Sequence, residues 1–153
     1  MIEKDSCMFT IFGATGDLTH RKILPALYFL EREQFLGNNF SIICVARREK
    51  TNEQYREEAK ASINKFSRIK VEDKILNRIL KRIHYYRLEF NEKNIYVSLR
   101  KHIEKLSKHN TNACNWVFYL ATGPEFFNVI VKNLDKAGLA SKNTKNTTYC
   151  CLY

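Results

Sequence analysis

The amino-acid sequence predicts an α/β fold in which a parallel sheet is covered by helices on both faces. Short apolar runs alternate along the chain with longer stretches that carry one apolar face, and no two runs are joined by a hairpin turn signal. Parallel strands need crossover connections, and these connections are usually helical. With 153 residues, of which 44% are hydrophobic and 27% charged, the chain suits one globular domain.

The first three predicted elements are a strand, a helix and a strand. Residues 7–12 are apolar and β-branched and stop at a glycine, as in a buried parallel strand that enters a tight turn. Residues 17–35 are predicted to be helical because apolar side chains recur with helical spacing at Ile23, Leu27 and Leu30. Pro25 lacks the N–H group of an uninterrupted helix, so we expect a bend there or a helix that restarts at Pro25. Residues 40–46 repeat the pattern of a buried strand.

The rest of the chain continues the alternation, without an internal repeat or a linker. The predicted helices cover 51–66, 72–83, 95–106 and 127–134, and the predicted strands cover 84–88 and 116–121. Gly138 follows the last helix, where glycine is a typical C-cap.

The formal net charge of +10 raises the question of a nucleic-acid partner, since clustered Lys and Arg bind phosphate backbones. The basic residues are dispersed along helix faces, however, and alternate with acids such as Glu72 and Asp73, as on a solvated surface. We therefore expect no nucleic-acid partner and keep a basic nucleic-acid-binding domain as an alternative.

The sequence also bears on compartment. No apolar run approaches the roughly 20 residues of a membrane span, and residues 1–12 lack the features of a secretory signal. The five cysteines show neither paired disulfide spacing nor the Cys-x-x-Cys spacing of a metal site. We expect a cytoplasmic protein with no membrane contact and no metal.

The most informative stretch is the turn between the first strand and the first helix, which reads Gly13, Ala14, Thr15, Gly16, Asp17 and Leu18. A pyrophosphate can approach the backbone closely only where side chains are absent, and a sharp turn needs a residue free of Cβ constraints. The helix that follows presents unpaired amides and the positive end of its dipole to an anion. As a bare pattern Gly-x-x-Gly is weak, and an ordinary strand-to-helix turn is the alternative. Its position after the first strand favours nucleotide binding.

The end of the second predicted strand indicates which dinucleotide fits. An NAD site places a carboxylate there for the ribose hydroxyls, whereas an NADP site places arginine to pair with the 2′-phosphate. Here the strand ends in Arg47 and Arg48, and the first acid is Glu49. This pattern favours NADP, with a solvated arginine at a strand end as the alternative.

A resemblance to a known family rests first on residues 13–28, which read GATGDLTHRKILPALY. This stretch resembles the opening signature of the glucose-6-phosphate dehydrogenases. Residues 45–47 and 118–121 also resemble family segments in the same order, and the similarity covers about residues 7–139. The resemblance implies a Rossmann-like fold and NADP as cofactor. For the full-length parent it implies a homo-oligomer that oxidises glucose 6-phosphate to 6-phosphogluconolactone in the pentose phosphate pathway.

Position by position, the resemblance implies roles for individual residues. Residues 13–18 would wrap the pyrophosphate, and Arg47 would hold the 2′-phosphate of NADP. Lys22 matches a family lysine that reaches toward the sugar phosphate; without the resemblance it would be taken as a surface lysine. The other implied contacts are the adenine side at Glu89 and Phe90 and the nicotinamide at Ala121 and Thr122.

The sequence departs from the family pattern in two places. Gly123 and Pro124 stand where the family usually has Pro-Pro, which loosens the loop that should touch the nicotinamide. After Leu139 the family continues with a fifth strand and the sequence Glu-Lys-Pro-Phe-Gly, whereas residues 141–153 read differently. We therefore expect an incomplete NADP-binding domain over 1–140, without its later strands, followed by an aberrant, disordered tail over 141–153.

No catalytic residue is assigned. General-base catalysis needs a positioned acceptor near the sugar hydroxyl, and no histidine falls where the family has its base, neither His20, His84, His102 nor His109. We expect a truncated form of the parent enzyme that is inactive alone and binds at most the cofactor. A stand-alone NADP-binding module and an unfolded relic of a broken gene are the alternatives.

Overall fold

The centre of the molecule is a parallel sheet. The computed structural model describes residues 6–107, 114–140 and 147–150. The strands within them are β1 (Ser6–Phe12), β2 (Phe40–Ala46), β3 (Ile83–Arg87), β4 (Cys114–Leu120) and β5 (Thr147–Cys150). They form one sheet in the order β3-β2-β1-β4-β5, and every neighbouring pair is parallel. The predicted α/β fold with a parallel sheet is therefore confirmed.

Helices connect the strands. They are α1 (Leu24–Arg32), α2 (Asn52–Phe66), α3 (Asp73–Lys81), α4 (Lys93–Ser107) and α5 (Phe127–Lys136). Local chemistry fixes where α2 begins: the Thr51 hydroxyl accepts from the Gln54 N–H at 3.1 Å, and the Gln54 side chain accepts from the Thr51 N–H at 2.8 Å. This reciprocal pair satisfies amide donors that the first helical turn leaves free.

Both faces of the sheet are buried. Side chains alternate along β2, so Ile43 and Val45 join one hydrophobic cluster with α4 and α5, whereas Ile42 and Cys44 join a second with α1, α2 and α3. This double burial explains why the strand reads as a continuous apolar run. In the part of the chain that the structure describes, no helix is both long enough and apolar enough to cross a bilayer.

The first helix changes its geometry at Pro25, as expected. Residues Thr19–Ile23 form a π-helical turn in which the Leu24 N–H donates to the Thr19 carbonyl, five residues back, and α1 begins directly afterwards with Pro25 in its first turn. Pro25 has no N–H to donate, and proline is tolerated in the first turn of a helix because the amides there have no acceptor within the helix. The wider π-helical turn before it accommodates this change. The helix ends at Arg32, before the predicted residue 35, because Gln34 takes a φ of 59°.

The chain after α5 differs from the expectation of a sheet without later strands and a disordered tail. Residues Thr147–Cys150 form β5, which pairs in parallel with Trp116–Tyr119 of β4. For these residues the prediction was wrong. An uncovered β4 edge would leave backbone donors and acceptors unpaired, and the Thr-Thr-Tyr sequence suits a strand. The rest of the predicted tail, 141–146 and 151–153, lies outside the described residues.

The strand order also fixes where a ligand can enter. From β1 the chain builds β2 and β3 on one side of the sheet and β4 and β5 on the other. Where the order reverses, the loops that follow two neighbouring strands lead away from each other. They leave a crevice at the carboxyl ends of the strands, which is the usual ligand position in open α/β sheets.

Candidate cofactor-binding site

A cleft of about 460 Å³ opens at this edge of the sheet. It brings together residues that follow four different strands, because the carboxyl ends of parallel strands share one edge. The predicted residues that line it are Gly13, Thr15, Gly16, Arg47, Glu89, Phe90, Ala121 and Thr122. The sequence places these residues up to 109 positions apart, and the sheet gathers them into one cavity.

Gly13 is the residue whose lack of a side chain the turn requires. Its φ is +90°, and a Cβ built on it would lie 2.4 Å from the Ala121 carbonyl oxygen. The end of β1 therefore runs directly against the end of β4. Gly16 is less constrained, because its φ is not positive and a Cβ there would lie 3.2 Å from the Gly13 oxygen.

The turn is braced by hydrogen bonds that do not depend on a ligand. The Gly13 carbonyl accepts from the Gly16 N–H and from the Thr19 hydroxyl, both at 3.0 Å. The Tyr55 hydroxyl donates to the Ala14 carbonyl at 2.6 Å, and burial raises the pKa of Tyr55 well above its ordinary value, so the phenol stays protonated. Sequence reasoning missed Thr19 and Tyr55. Thr19 adjoins the glycine motif, whereas Tyr55 gives no local signal.

The remaining residues of the turn contribute in other ways than lining the cleft. Ala14 is buried in the core, and Leu18 packs against the same cluster. Asp17 is exposed and pairs with Arg21 at 2.6 Å, one helical turn away. Among the described residues, the Thr15 N–H has no hydrogen-bond acceptor, so it is a free donor at the cleft. A free amide beside a helix start is the kind of position at which anions bind to proteins.

Arg47 supplies positive charge at the far side of the cleft. Its guanidinium carbon lies 5.7 Å from the centre of the Phe90 ring and 5.5 Å from that of Phe126. Within the described part of the chain, no carboxylate forms an ion pair with Arg47 or Arg48. Both charges therefore stay available to a ligand. Phe126 was missed by sequence reasoning, because nothing in the local pattern links it to the end of β2.

The backbone around the cleft is tied down as well. The Ala121 N–H donates to the Phe12 carbonyl at 2.8 Å, which holds the end of β4 against β1. The Arg48 carbonyl accepts from the Tyr85 hydroxyl, and burial raises the pKa of Tyr85 to about 12, so this donor is also protonated at neutral pH. The cleft is thus a largely pre-formed site with fixed walls.

Comparison with known proteins identifies the family. Residues 10–148 match the model of the glucose-6-phosphate dehydrogenase, NAD binding domain. The chain belongs to this family. The match begins within β1, slightly after the inferred start at residue 7, and reaches into β5, beyond the inferred end at residue 139. The family resemblance is confirmed.

Individual relatives agree. The chain is 43% identical over 137 residues to the glucose-6-phosphate 1-dehydrogenase of Chlamydia pneumoniae, covering 90% of this chain and 27% of the relative. It is 30% identical over 139 residues to that of Bacillus subtilis, covering 91% of this chain and 27% of the relative. The chain therefore spans about a quarter of the length of the curated relatives that it matches.

Solved structures show the same fold. A glucose-6-phosphate dehydrogenase in complex with its substrate glucose-6-phosphate superposes with a TM-score of 0.83 at 28% identity, covering 99% of this chain and 31% of that one. The Mycobacterium avium glucose-6-phosphate 1-dehydrogenase superposes with a TM-score of 0.80, also at 28% identity, covering 95% of this chain and 29% of that one. The matched region is the nicotinamide-cofactor-binding part of these enzymes.

Lys22 lies outside the cofactor cleft. It is exposed and lines a second cavity of about 260 Å³, together with Phe29 and Phe66, rather than the cofactor cleft. The π-helical turn that contains Lys22 directs it to this neighbouring surface. Its role toward a sugar phosphate stays a prediction.

The histidines of the described chain lie outside the cleft lining. His20 Nδ1 lies 2.6 Å from the hydroxyl of Ser62 in α2. On the opposite face of the sheet, the His102 ring lies 5.1 Å from that of Tyr86 in a tilted arrangement. Burial lowers the pKa of His20, His84 and His102, so they are neutral at pH 7. His109 lies outside the described residues.

Proposed function

We propose that the chain binds NADP in this cleft and serves as the cofactor-binding domain of a glucose-6-phosphate dehydrogenase. The observation that carries the proposal is the Arg47 guanidinium at the end of β2, which forms no ion pair with a carboxylate of the described residues and lines the same cavity as the glycine turn after β1. A 2′-phosphate needs such a cation, whereas the ribose hydroxyls of NAD favour a carboxylate at this place.

The residues of the cleft fit the cofactor. The turn at Gly13 and Gly16 allows close approach of a pyrophosphate, and the Thr15 N–H, which has no acceptor among the described residues, can donate to it. Ala121 and Thr122 would border the nicotinamide, and Glu89 and Phe90 the adenine side. The cofactor itself supplies hydride acceptance, while these residues bind and orient it.

The substrate of the whole enzyme is proposed from the relatives. They are glucose-6-phosphate 1-dehydrogenases, and one related structure holds glucose-6-phosphate. Oxidation of the sugar needs a general base near its hydroxyl. Among the described residues that line the cleft, Glu89 is the carboxylate, and we assign it to the adenine side. These residues therefore support cofactor binding, with Lys22 as the candidate contact for the sugar phosphate.

Titration of the purified chain with NADP and with NAD tests the proposal. We expect NADP to bind roughly 10- to 100-fold more tightly, since a charge-assisted contact contributes about 1.5–3 kcal/mol. Arg47→Ala should remove the preference by weakening NADP alone. Arg68→Ala is the matched control, because Arg68 is an exposed arginine on the second cavity. Equal affinity for the two cofactors, or an unchanged preference in Arg47→Ala, would contradict the assignment.

A further inference from the structure

Three side chains meet at the side of the cleft where β2 ends. The rings of Phe90 and Phe126 lie 5.3 Å apart in an edge-to-face arrangement with an interplanar angle of 64°. The Arg47 guanidinium carbon lies 5.5 Å from one ring centre and 5.7 Å from the other. The cation therefore contacts two aromatic rings that also contact each other, within the range at which rings attract cations.

The rings are held by the fold and the arginine is not. Phe90 is 5% exposed, and its carbonyl accepts from the Tyr96 hydroxyl at 2.9 Å and from the Asn133 amide at 3.0 Å. Phe126 ends the short turn Pro124–Phe126, where its N–H donates to the Gly123 carbonyl at 3.1 Å. Arg47, by contrast, is exposed. The ring pair is a fixed support, and the guanidinium is the part whose freedom it restricts.

Contact with aromatic rings leaves the N–H donors of Arg47 free for a ligand, whereas an ion pair would occupy them. A carboxylate that held Arg47 would compete with a ligand phosphate for the same donors, and none does so among the described residues. Aromatic rings attract the cation without accepting its in-plane N–H bonds. A long arginine side chain loses rotamer freedom when a phosphate fixes it, and prior restriction reduces that loss.

We propose that Phe126, acting with Phe90, is a positioning residue that holds the Arg47 guanidinium ready for the 2′-phosphate and thereby raises the preference for NADP over NAD. The inference rests on the proposed function, because it concerns the same cleft. Arg47 at the end of β2 determines the preference for NADP in the proposed function. The inference adds that Phe126, from the loop after β4, contributes to this preference. Phe126 acts through the Arg47 guanidinium and is given no contact of its own with the 2′-phosphate.

Binding of both cofactors to Phe126→Leu tests the role. We expect NADP affinity to fall about 3- to 10-fold and NAD affinity to stay the same, since the lost support affects only the ordering of Arg47. Phe126→Tyr keeps the ring and should restore the preference. In an Arg47→Ala background, Phe126→Leu should cause no further loss of NADP affinity, because coupled residues are not additive.

The controls separate this inference from the proposed function. Phe29→Leu removes an exposed ring on the second cavity and should change neither affinity. Circular dichroism checks the folding of each variant, and Phe126→Met replaces Phe126→Leu if the latter unfolds. An equal loss for both cofactors, no loss of NADP affinity, or an undiminished loss in the Arg47→Ala background overturns the positioning role while wild-type binding stands. Wild-type protein without NADP preference overturns the proposed function and this inference together.

Discussion

Replacing Gly13 by alanine should destabilise the protein far more than the same change at Gly16. Gly13 has a φ of +90°, which an L-residue with a side chain rarely adopts. The added Cβ would also lie 2.4 Å from the Ala121 oxygen and 2.8 Å from its carbonyl carbon. Both atoms belong to the backbone. Ala121 cannot move aside easily, because its N–H is bonded to the Phe12 carbonyl at 2.8 Å.

The magnitude follows from two separate costs. A left-handed conformation costs an alanine roughly 1–2 kcal/mol, and forcing an extra methyl against a packed backbone costs about 1–3 kcal/mol. Gly13→Ala should therefore lower the free energy of unfolding by about 2–5 kcal/mol. Gly16 has no positive φ, and its Cβ would lie 3.2 Å from the Gly13 oxygen, so a small shift suffices. Gly16→Ala should cost less than about 1 kcal/mol.

Urea denaturation of the two variants, followed by circular dichroism and by the fluorescence of the single tryptophan, Trp116, measures the difference. In thermal unfolding, Gly13→Ala should melt roughly 10 °C below wild type, because 1 kcal/mol shifts the melting temperature of a chain of this length by about 2–4 °C. Equal destabilisation of the two variants would refute the reasoning, since it would mean that neither the positive φ nor the contact with Ala121 determines the turn.

Other consequences can be measured on the same protein. Glu31 is 4% exposed and lies between Arg78, whose Nε is 2.7 Å from Oε1, and Arg82, whose Nε is 3.0 Å from Oε2. Glu31→Gln should lower the free energy of unfolding by about 2–4 kcal/mol without changing NADP affinity. This loss is somewhat smaller than that for a fully buried ion pair, because Arg78 is half-exposed. An unchanged free energy of unfolding in urea would contradict this prediction. The free energy of unfolding should also fall as the pH drops from 7.5 to 5.5, because burial lowers the pKa of three histidines from 6.5 in the folded state, namely His20, His84 and His102. The unfolded chain then binds protons that the folded chain resists, so a urea midpoint that stays constant or rises on acidification argues against their burial. Finally, the 153-residue chain should show no reduction of NADP that depends on glucose 6-phosphate, since positioned bases contribute about 10²- to 10⁴-fold and orientation contributes still more. Turnover that is lost in Lys22→Ala and absent from a mock purification would show that this chain carries catalytic residues that the sequence analysis did not assign.

Local sequence features predicted most of the architecture. The apolar run before Gly13 and the helical spacing after it indicated a strand, a turn and a helix, and a comparable pattern around residues 40–46 indicated β2. The interruption at Pro25 could be predicted because proline has no N–H to donate within a helix, whatever its surroundings. The strand β5 was not predicted. Its pairing depends on the edge that β4 offers to a further strand, and nothing within the sequence of residues 147–150 indicates that such an edge is present.

The candidate site divides along the same line. Glycines at the end of one strand and Arg47 at the end of another can be found in the sequence, because turn geometry and phosphate charge each restrict the residue type at a single position. Their meeting in one cleft follows once the strands are known to be parallel and adjacent. The Tyr55 hydrogen bond to Ala14 and the contact of Phe126 with Arg47 join residues 41 and 79 positions apart. Only side-chain packing across the completed sheet determines such contacts. The position of Lys22 at a different cavity was also not predicted, because the direction of a side chain depends on the helix geometry around it.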